Sequence, residues 1–382
     1  GLGTCRFKKI IRVDTSMKVL LDLRPIMRPS FGGVGVYTRR ITDMLIARRR
    51  HEYSLFSNAW ERTPVLAFGA AEEHLRRLPN KVLNSAFAFL GRPRIEYLCG
   101  GADAVYLPNL NFVATGRPLV VTVHDLSFIR YPDFFSPKTR LWHRAIRPAG
   151  LLRQAAAIAA VSEHTKSDIV EMFGIAPERI AVVSPGVTPG MAPANVGALA
   201  DVRRAFGLER PFFLYLGVIE PRKNISGLIS AFDKIEADAD LVIAGARGWL
   251  CDHVFAQAEA SKKRGRIRFL GPVPEEQKAA LLSAALALVY PSFYEGFGLP
   301  LLEAMACGTP VISGLGSSMG EVVADAGLLV DPNDLREIAD AMQAVGADET
   351  LRAELTRRGL ERAKKFSWEK SAEVLEKIFA RL

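Results

Sequence analysis

The sequence predicts an α/β protein with two doubly wound domains, and three observations indicate it. Short apolar runs alternate with helical patterns, as in parallel sheets that helices cover on both faces. The alternation pauses once, in the Pro-, Gly- and Ala-rich residues 184–200, which predict a linker. The 382 residues suffice for two separate cores. We therefore expect domains at residues 17–190 and 200–367, with ligands between them at the carboxyl ends of the strands.

The expected strands are short apolar runs bounded by loops. In the first domain they span residues 19–23, 104–107, 119–124, 158–161 and 180–184. In the second domain they span residues 212–216, 241–244, 267–270, 286–290, 311–313 and 328–330. Because these runs are almost continuously apolar, they indicate parallel strands buried on both faces.

The composition is that of a soluble globular protein, with 49% hydrophobic and 24% charged residues. Runs of about 18 uncharged apolar residues are absent from the sequence, so we expect no membrane span. The four cysteines have no metal-ligand spacing, which favours a reduced, cytoplasmic protein. Residues 1–16 lack the apolar core of a signal peptide, and we expect them to be an extension or cloning remnant outside the fold.

Positive charge is concentrated in the first half of the chain. Residues 1–200 hold 27 Lys and Arg against 15 Asp and Glu, or +12, whereas the remainder holds 23 against 26, or −3. Residues 74–94 and 136–154 also mix basic with large apolar side chains, as helices at a membrane interface do. An ordinary helix with a solvated basic face is the alternative for each stretch. Together they favour an acceptor at an anionic membrane surface.

The most informative segment is PSFYEGFGLPLLEAMACGTPV, residues 291–311. Glu295 lies in a glycine-rich loop, and Glu303 lies in the helix that Pro300 opens and Gly308 ends. The free N–H groups at that helix start predict an anion site, formed by Phe297, Gly298 and Leu299. The alternative interpretation is that Glu303 only complements the helix dipole and that the glycine-rich loop is only a turn.

The run EGFGLPLLEAMACGTPVI resembles the E-x7-E signature of retaining nucleotide-sugar glycosyltransferases of family 4, which have the GT-B fold. The resemblance implies two Rossmann-like domains facing across a cleft. It also implies that Glu303 binds the ribose hydroxyls and Glu295 the transferred sugar, without a cofactor. The family's last helix crosses back to the first domain, and residues 368–382 carry a helical apolar pattern that fits this role.

The second domain carries further donor-binding candidates. The run GVIEPRKN follows a strand, and it resembles the family's diphosphate-binding motif, with Arg222 and Lys223 as the cations. Fixed cations there would stabilise the charge that grows on the leaving diphosphate. The resemblance also implies donor contacts from the turns after three strands, at Gly217, at Gly245 and Arg247, and at Val273.

The first domain carries the glycine-rich run RPIMRPSFGGVGVYT. Its spacing is not G-x-G-x-x-G, so a nicotinamide site is not expected. The run resembles the family's loop beside the donor diphosphate and the acceptor, which implies roles for Gly35 and Tyr37. His124, at the end of a strand, resembles the histidine that contacts the donor sugar. Asp125 and Ser162 are the remaining acceptor candidates, although Ser162 is also expected to cap a helix.

We predict no metal site and no nucleic-acid partner. The only candidate for a metal-binding D-x-D motif is Asp238 and Asp240, but they precede a strand rather than follow one. The chain also lacks aromatic–basic motifs of the common RNA-binding modules. The motifs look most similar to those of polysaccharide mannosyltransferases, which favours GDP-mannose or a related GDP-sugar and a lipid-linked glycan. A UDP-sugar transferase and a soluble sugar or sugar-phosphate synthase stay open.

Overall fold

The computed structural model describes residues 16–27, 32–59, 68–69 and 71–382, and these form the two parallel α/β domains that the sequence predicts. The expected extension at residues 1–16 lies outside this description except for Ser16. Residues 28–31 of the glycine-rich run also lie outside it.

The first domain contains a seven-stranded parallel sheet with the strand order β3-β2-β1-β4-β5-β6-β7. Its strands are β1 (Lys18–Asp22), β2 (Glu52–Asn58), β3 (Glu72–Arg76), β4 (Ala104–Leu107), β5 (Leu119–Val123), β6 (Ala157–Ala160) and β7 (Ile180–Val182). Strands β2 and β3 were not predicted. β2 interrupts its apolar residues with buried Ser54, Ser57 and Asn58, and β3 is a largely polar edge strand, so neither has a continuous apolar run.

The second domain contains a six-stranded parallel sheet with the order β10-β9-β8-β11-β12-β13. Its strands are β8 (Phe212–Leu216), β9 (Asp240–Ala244), β10 (Ile267–Gly271), β11 (Ala287–Tyr290), β12 (Val311–Gly314) and β13 (Leu328–Val330). All six were predicted from their apolar runs. The order reverses beside β8, so the loops after β8 and β11 meet at a topological switch point, where doubly wound sheets bind ligands.

Helices cover both sheets. Those of the first domain are α1 (Gly33–Arg48), α2 (Asn80–Ser85), α3 (Ser127–Arg130), α4 (Pro137–Ile146), α5 (Pro148–Gln154) and α6 (Glu163–Phe173), with a π-helix at Ala86–Leu90. Those that follow are α7 (Val196–Phe206), α8 (Ile225–Phe232), α9 (Asp252–Ala260), α10 (Glu275–Ser283), α11 (Leu299–Ala306), α12 (Ser318–Val323), α13 (Leu335–Ala347), α14 (Glu349–Ala363) and α15 (Trp368–Phe379). None of the helices in the described part of the chain combines the length and the apolarity that crossing a bilayer needs.

The linker is shorter than predicted. Helix α7 begins at Val196, inside the expected linker, because the Asn195 side chain accepts a hydrogen bond from the Ala198 N–H and caps the helix. Arg203 of α7 then donates to the Ala284 carbonyl oxygen and ties the helix to the second domain. The second domain therefore begins before residue 200.

Helix α15 returns to the first domain, as the resemblance implies. Its buried Phe379 ring contacts Tyr106 edge-on at 5.8 Å, and its Glu376 accepts from the Arg48 Nε of α1 at 3.0 Å. One apolar core consequently runs from the second domain through α15 to one face of the first sheet, whose other face has its own core. The helix holds the two domains face to face across the cleft.

Candidate active site

The centre of the site is a buried carboxylate held between two cations. The Glu295 Oε1 accepts a hydrogen bond from the Lys223 Nζ at 2.5 Å, and its Oε2 accepts one from the Arg222 Nη1 at 2.8 Å. Burial by itself would raise the pKa of Glu295, but the charges of Arg222 and Lys223 outweigh it and hold the pKa at about 2. Glu295 is therefore an anion at neutral pH and not a proton donor.

Each cation has a second partner that fixes its position. Arg222 also donates to Glu220 Oε1 at 2.7 Å and to the Tyr294 carbonyl oxygen. Lys223 also donates to the Tyr290 hydroxyl at 2.7 Å. A lysine ammonium has three donors and an arginine guanidinium has five, so both side chains keep donors for a ligand.

The helix start beside this cluster is the predicted anion site. Among the described residues, the N–H groups of Phe297, Gly298 and Leu299 have no hydrogen-bond partner. Gly298 has φ of 94°, the left-handed conformation that glycine tolerates, and this turn aims the chain into α11. The free N–H groups and the positive end of the helix dipole therefore face the same cleft as Lys223.

Glu303 lies one helical turn further along α11 and is 3% exposed. Its Oε1 accepts from the Thr188 hydroxyl at 2.7 Å, and its Oε2 lies 3.5 Å from the Lys278 Nζ. Burial raises the pKa of Glu303, and the Lys278 charge opposes this only in part. Its position beyond the helix start fits the predicted contact with ribose hydroxyls, which stays a prediction.

Turns after β8, β9 and β10 form the neighbouring wall. A Cβ at Gly245 would overlap the carbonyl oxygen of Gly217, so this close approach requires glycine. Gly245 in turn donates from its N–H to the Gly271 carbonyl oxygen, two residues before Val273. Arg247 lies on the same wall, and its guanidinium carbon is 3.8 Å from the centre of the Phe255 ring. The donor contacts of these residues stay predictions.

The first domain meets this loop directly. A Cβ at Gly296 would overlap the His124 carbonyl oxygen, so β5 ends against the loop that carries Glu295. The His124 Nε2 donates to the Pro108 carbonyl oxygen at 2.8 Å. Burial lowers the pKa of His124, which is neutral at pH 7. The Asp125 Oδ1 accepts from the Ser127 N–H at 2.9 Å and so orders the turn after β5.

Two acceptor candidates lie in the core instead of the cleft. The Tyr37 side chain is fully buried, and its hydroxyl lies 3.3 Å from that of Tyr106 and 3.5 Å from Thr122 Oγ1. Ser162 is also fully buried, and its Oγ accepts from the Thr165 N–H at 3.0 Å, which confirms the expected helix cap. Their burial does not favour a direct contact with the acceptor, and the acceptor roles of Tyr37 and Ser162 stay predictions. Gly35, in the first turn of α1, lies near the cleft, because the neighbouring Gly33 packs against Leu299.

Aromatic side chains join the two domains beside the cleft. Phe134 of the first domain stacks on Phe293 of the second with ring centres 5.5 Å apart. The Trp249 Nε1 donates to the Phe134 carbonyl oxygen at 2.6 Å. Tyr131 packs against Tyr294 with centres 5.6 Å apart. These contacts cover one side of the candidate site with apolar surface.

The D-x-D pattern lies outside the site. Asp238 and Asp240 both contact Arg210, and Asp238 also pairs with Arg266 at 2.7 Å. Asp238 precedes β9 and Asp240 is its first residue, so both lie at the opposite end of the sheet from the cleft. Within the part of the chain that the structure describes, no three His, Cys, Asp or Glu side chains form a group that could hold a metal ion. Metal independence stays a prediction.

Several residues around the site were not predicted from the sequence. Glu220 lies in the run GVIEPRKN beside Arg222 and Lys223, but the sequence does not indicate which of these two cations it contacts. Tyr290 occurs in an apolar strand, and Lys278 occurs on a charged helix surface, so neither position stands out. The residues around the site that the sequence did not predict are Thr188, Glu220, Lys278, Tyr290, Ser317, Ser318 and Glu321.

The architecture is that of the GT-B fold. Sucrose-phosphate synthase from Thermosynechococcus elongatus superposes with a TM-score of 0.77 over 95% of this chain and 98% of its own, at 22% identity. Anabaena HepE, in complex with UDP and glucose, superposes with a TM-score of 0.74 over 96% of this chain and all of its own, at 20% identity. Both likenesses concern the fold.

The sequence assigns the family. The profile described as Glycosyltransferase Family 4 matches residues 31–190, and that described as Glycosyl transferases group 1 matches residues 201–362. O-antigen chain mannosyltransferase B of Escherichia coli is 34% identical over 372 residues, which cover 92% of this chain and 97% of that protein. The chain therefore belongs to glycosyltransferase family 4.

Proposed function

We propose that this glycosyltransferase is a retaining mannosyltransferase that uses GDP-mannose or a related GDP-sugar and acts on a lipid-linked glycan of a cell-surface polysaccharide such as O-antigen. The observation that carries the proposal is the buried Glu295 between Arg222 and Lys223, beside the free N–H groups at the start of α11. The similarity to an O-antigen mannosyltransferase along nearly the whole chain supports the choice of sugar and acceptor.

The leaving diphosphate binds where positive charge is fixed. Lys223 and the N–H groups of residues 297–299 contact its oxygens, and Arg222 holds Glu295 in place while its remaining donors add positive charge. Glu303 receives the ribose hydroxyls, and Glu295 receives hydroxyls of the transferred sugar. These groups stabilise negative charge that grows as the sugar–phosphate bond breaks.

The reaction exchanges one bond for another on the same face of the sugar. The bond from the anomeric carbon to the diphosphate oxygen breaks, and a bond from the acceptor hydroxyl oxygen to that carbon forms. The acceptor proton passes to an oxygen of the departing diphosphate. With its pKa at about 2, Glu295 is a poor general acid, which supports this route over acid–base catalysis by the two glutamates.

Nucleotide binding tests the donor. A bound nucleotide raises the melting temperature by mass action, so we expect GDP to shift it more than UDP or ADP at equal concentration. A larger shift with UDP would move the proposal to UDP-sugars. No shift with any of the three would contradict a nucleotide-sugar donor. The ¹H–¹³C coupling at the anomeric carbon of the product then distinguishes retention from inversion.

The first domain contacts an anionic membrane at the cytoplasmic face. Val82, Phe89 and Leu90 are 61%, 84% and 74% exposed, and they lie among the cations of residues 74–94. On α4, Leu141 is 68% exposed and lies among the cations of residues 136–154. This surface would place the first domain beside a lipid-linked acceptor.

A further inference from the structure

Helix α12 is a short helix that lies beside the Glu295 loop, and a residue with an unusual backbone conformation flanks it on each side. Ser317, just before it, has φ of 59° and ψ of −148°. Ala324, just after it, has φ of 51° and ψ of −123°. Residues with a Cβ rarely adopt these conformations, and they persist where surrounding contacts impose them. The contacts of α12 therefore have to account for this geometry.

One end of α12 holds the backbone of Glu295. The Ser317 Oγ accepts from the Glu295 N–H at 2.9 Å, and the Ser318 Oγ donates to the Glu295 carbonyl oxygen at 2.8 Å. Both main-chain polar groups of the residue are thus fixed by neighbouring serines. A movement of α12 would therefore act on the main chain of Glu295.

Glu321, in the middle of α12, reaches the first domain. The two carboxylate oxygens of Glu321 accept from the N–H groups of Glu163 and His164, at 3.1 and 3.2 Å. These N–H groups lie in the first turn of α6 and have no partner within that helix. A carboxylate is favoured there by both hydrogen bonding and the helix dipole. Arg362 holds the Glu321 carbonyl oxygen at 2.6 Å, which anchors this residue in the second domain.

Helix α6 contacts the same loop from its own side. The Thr165 hydroxyl lies 3.4 Å from the Gly296 carbonyl oxygen and 3.3 Å from the His124 carbonyl oxygen. Glu321 therefore connects α12 to a helix of the first domain that also contacts the Glu295 loop and the end of β5.

We propose that Glu321 is a positioning residue for the transfer reaction. By capping α6 across the cleft, it couples the approach of the two domains to the placement of Glu295 through Ser317 and Ser318. This inference rests on the role of Glu295 in the proposed function. A cap that only stabilises the fold is the alternative, and it would change stability without changing the rate of transfer in the folded enzyme.

Three variants of the full chain separate these roles. Glu321→Ala removes both bonds to α6, and Ser318→Ala removes one bond to Glu295 but leaves the cap intact. Glu349→Ala, at the first position of α14, is the matched control, because this exposed glutamate lies away from the cleft. The readouts are kcat for transfer, the Kd of GDP, and hydrogen exchange at the amides of Glu163 and His164.

We expect Glu321→Ala to lower kcat about tenfold, the equivalent of losing one charge-assisted hydrogen bond, while the Kd of GDP changes less than about twofold. Exchange at Glu163 and His164 should become faster. Ser318→Ala should lower kcat without changing that exchange, and Glu349→Ala should change neither. Glu321→Gln, which keeps the side-chain size and one acceptor, should fall between Glu321→Ala and the unaltered enzyme.

The proposal is overturned if Glu321→Ala keeps the unaltered kcat, or if its amide exchange is unchanged. Retained GDP affinity in each variant shows that the second domain is folded. Failure of the proposed function looks different, because the unaltered chain would then bind no nucleotide, whereas the exchange experiment would still report whether Glu321 caps α6.

Discussion

The Glu295 carboxylate pairs with two cations, so removing its charge should affect stability as well as catalysis. Glu295→Gln leaves Lys223 and Arg222 buried with less compensation, and Lys223→Met leaves the carboxylate with Arg222 alone. Each change should lower the free energy of unfolding by on the order of 3 kcal/mol. Each should also lower kcat at least about hundredfold, because the charge in the site is altered.

The double variant should be more stable than the sum of the single changes predicts, because both charges of the pair are removed together. Urea unfolding measures this coupling. Lys364→Met is the control, since Lys364 forms an exposed pair with Glu361 and its loss should change stability by less than about 1 kcal/mol. Additive losses would show that Glu295 and Lys223 do not interact in solution.

Glu303 should make nucleotide affinity depend on pH. Since its pKa is raised, it takes up a proton at a higher pH than an ordinary glutamate does. The protonated acid accepts hydrogen bonds from ribose hydroxyls less well than the carboxylate does. GDP affinity should therefore fall severalfold as the pH drops from 7 towards the raised pKa.

Calorimetric titration with GDP from pH 7 downwards measures this trend. Glu303→Gln has no proton to gain at this position, so it should bind GDP more weakly at pH 7 with little further loss at lower pH. If the variant keeps the full pH dependence of the unaltered enzyme, another group is responsible.

At the scale of elements, α15 should contribute strongly to the stability of the first domain. Its Phe379 ring is fully buried between Tyr106 and His51. Phe379→Ala should therefore lower the free energy of unfolding by about 3–5 kcal/mol, the usual effect of removing a buried aromatic ring. Leu382→Ala, beyond the end of the helix and 37% exposed, should change it by less than about 0.5 kcal/mol. Equal effects in urea unfolding would contradict this docking.

The elements that could be predicted from the sequence are those with a local signal. The apolar strands of the second sheet and the cap at Ser162 follow from residue type and spacing alone. The edge strand β3 could not be predicted, since its residues are mostly polar and its pairing with β2 is a tertiary contact.

The same distinction applies to the site. Arg222, Lys223, Glu295 and Glu303 lie in motifs, and the structure brings the first three into direct contact. Tyr37 was assigned to the acceptor because its loop resembles the family's, but the helical phase of α1 turns its side chain into the core. Glu321 lies 26 residues from Glu295 in sequence, and its contact with α6 arises only when the domains face each other.

At the scale of the whole molecule, basic charge and exposed apolar surface coincide on the first domain. The two basic stretches also lie on one side of it, because Arg24 contacts both Asn84 of α2 and the Phe112 carbonyl oxygen, and the Phe112 ring contacts Trp142 of α4. A second copy of the chain could cover this surface. However, a two-fold contact there would place like charges against each other, whereas anionic lipid would neutralise them.

Vesicle flotation tests this interface. The chain should float with vesicles of phosphatidylethanolamine and phosphatidylglycerol, and less so with neutral vesicles or at high salt, because each cation near an anionic surface contributes about 1 kcal/mol. The double variant Phe89→Ser, Leu90→Ser should lose most of this binding, since both side chains are exposed and their apolar area drives insertion. Val196→Ser, which removes an 82% exposed valine from α7, should float like the unaltered chain. Binding that survives the double variant would place the membrane contact on another surface of the chain. An unaltered chain that stays with the soluble fraction would favour an acceptor in solution and a soluble sugar or sugar-phosphate synthase.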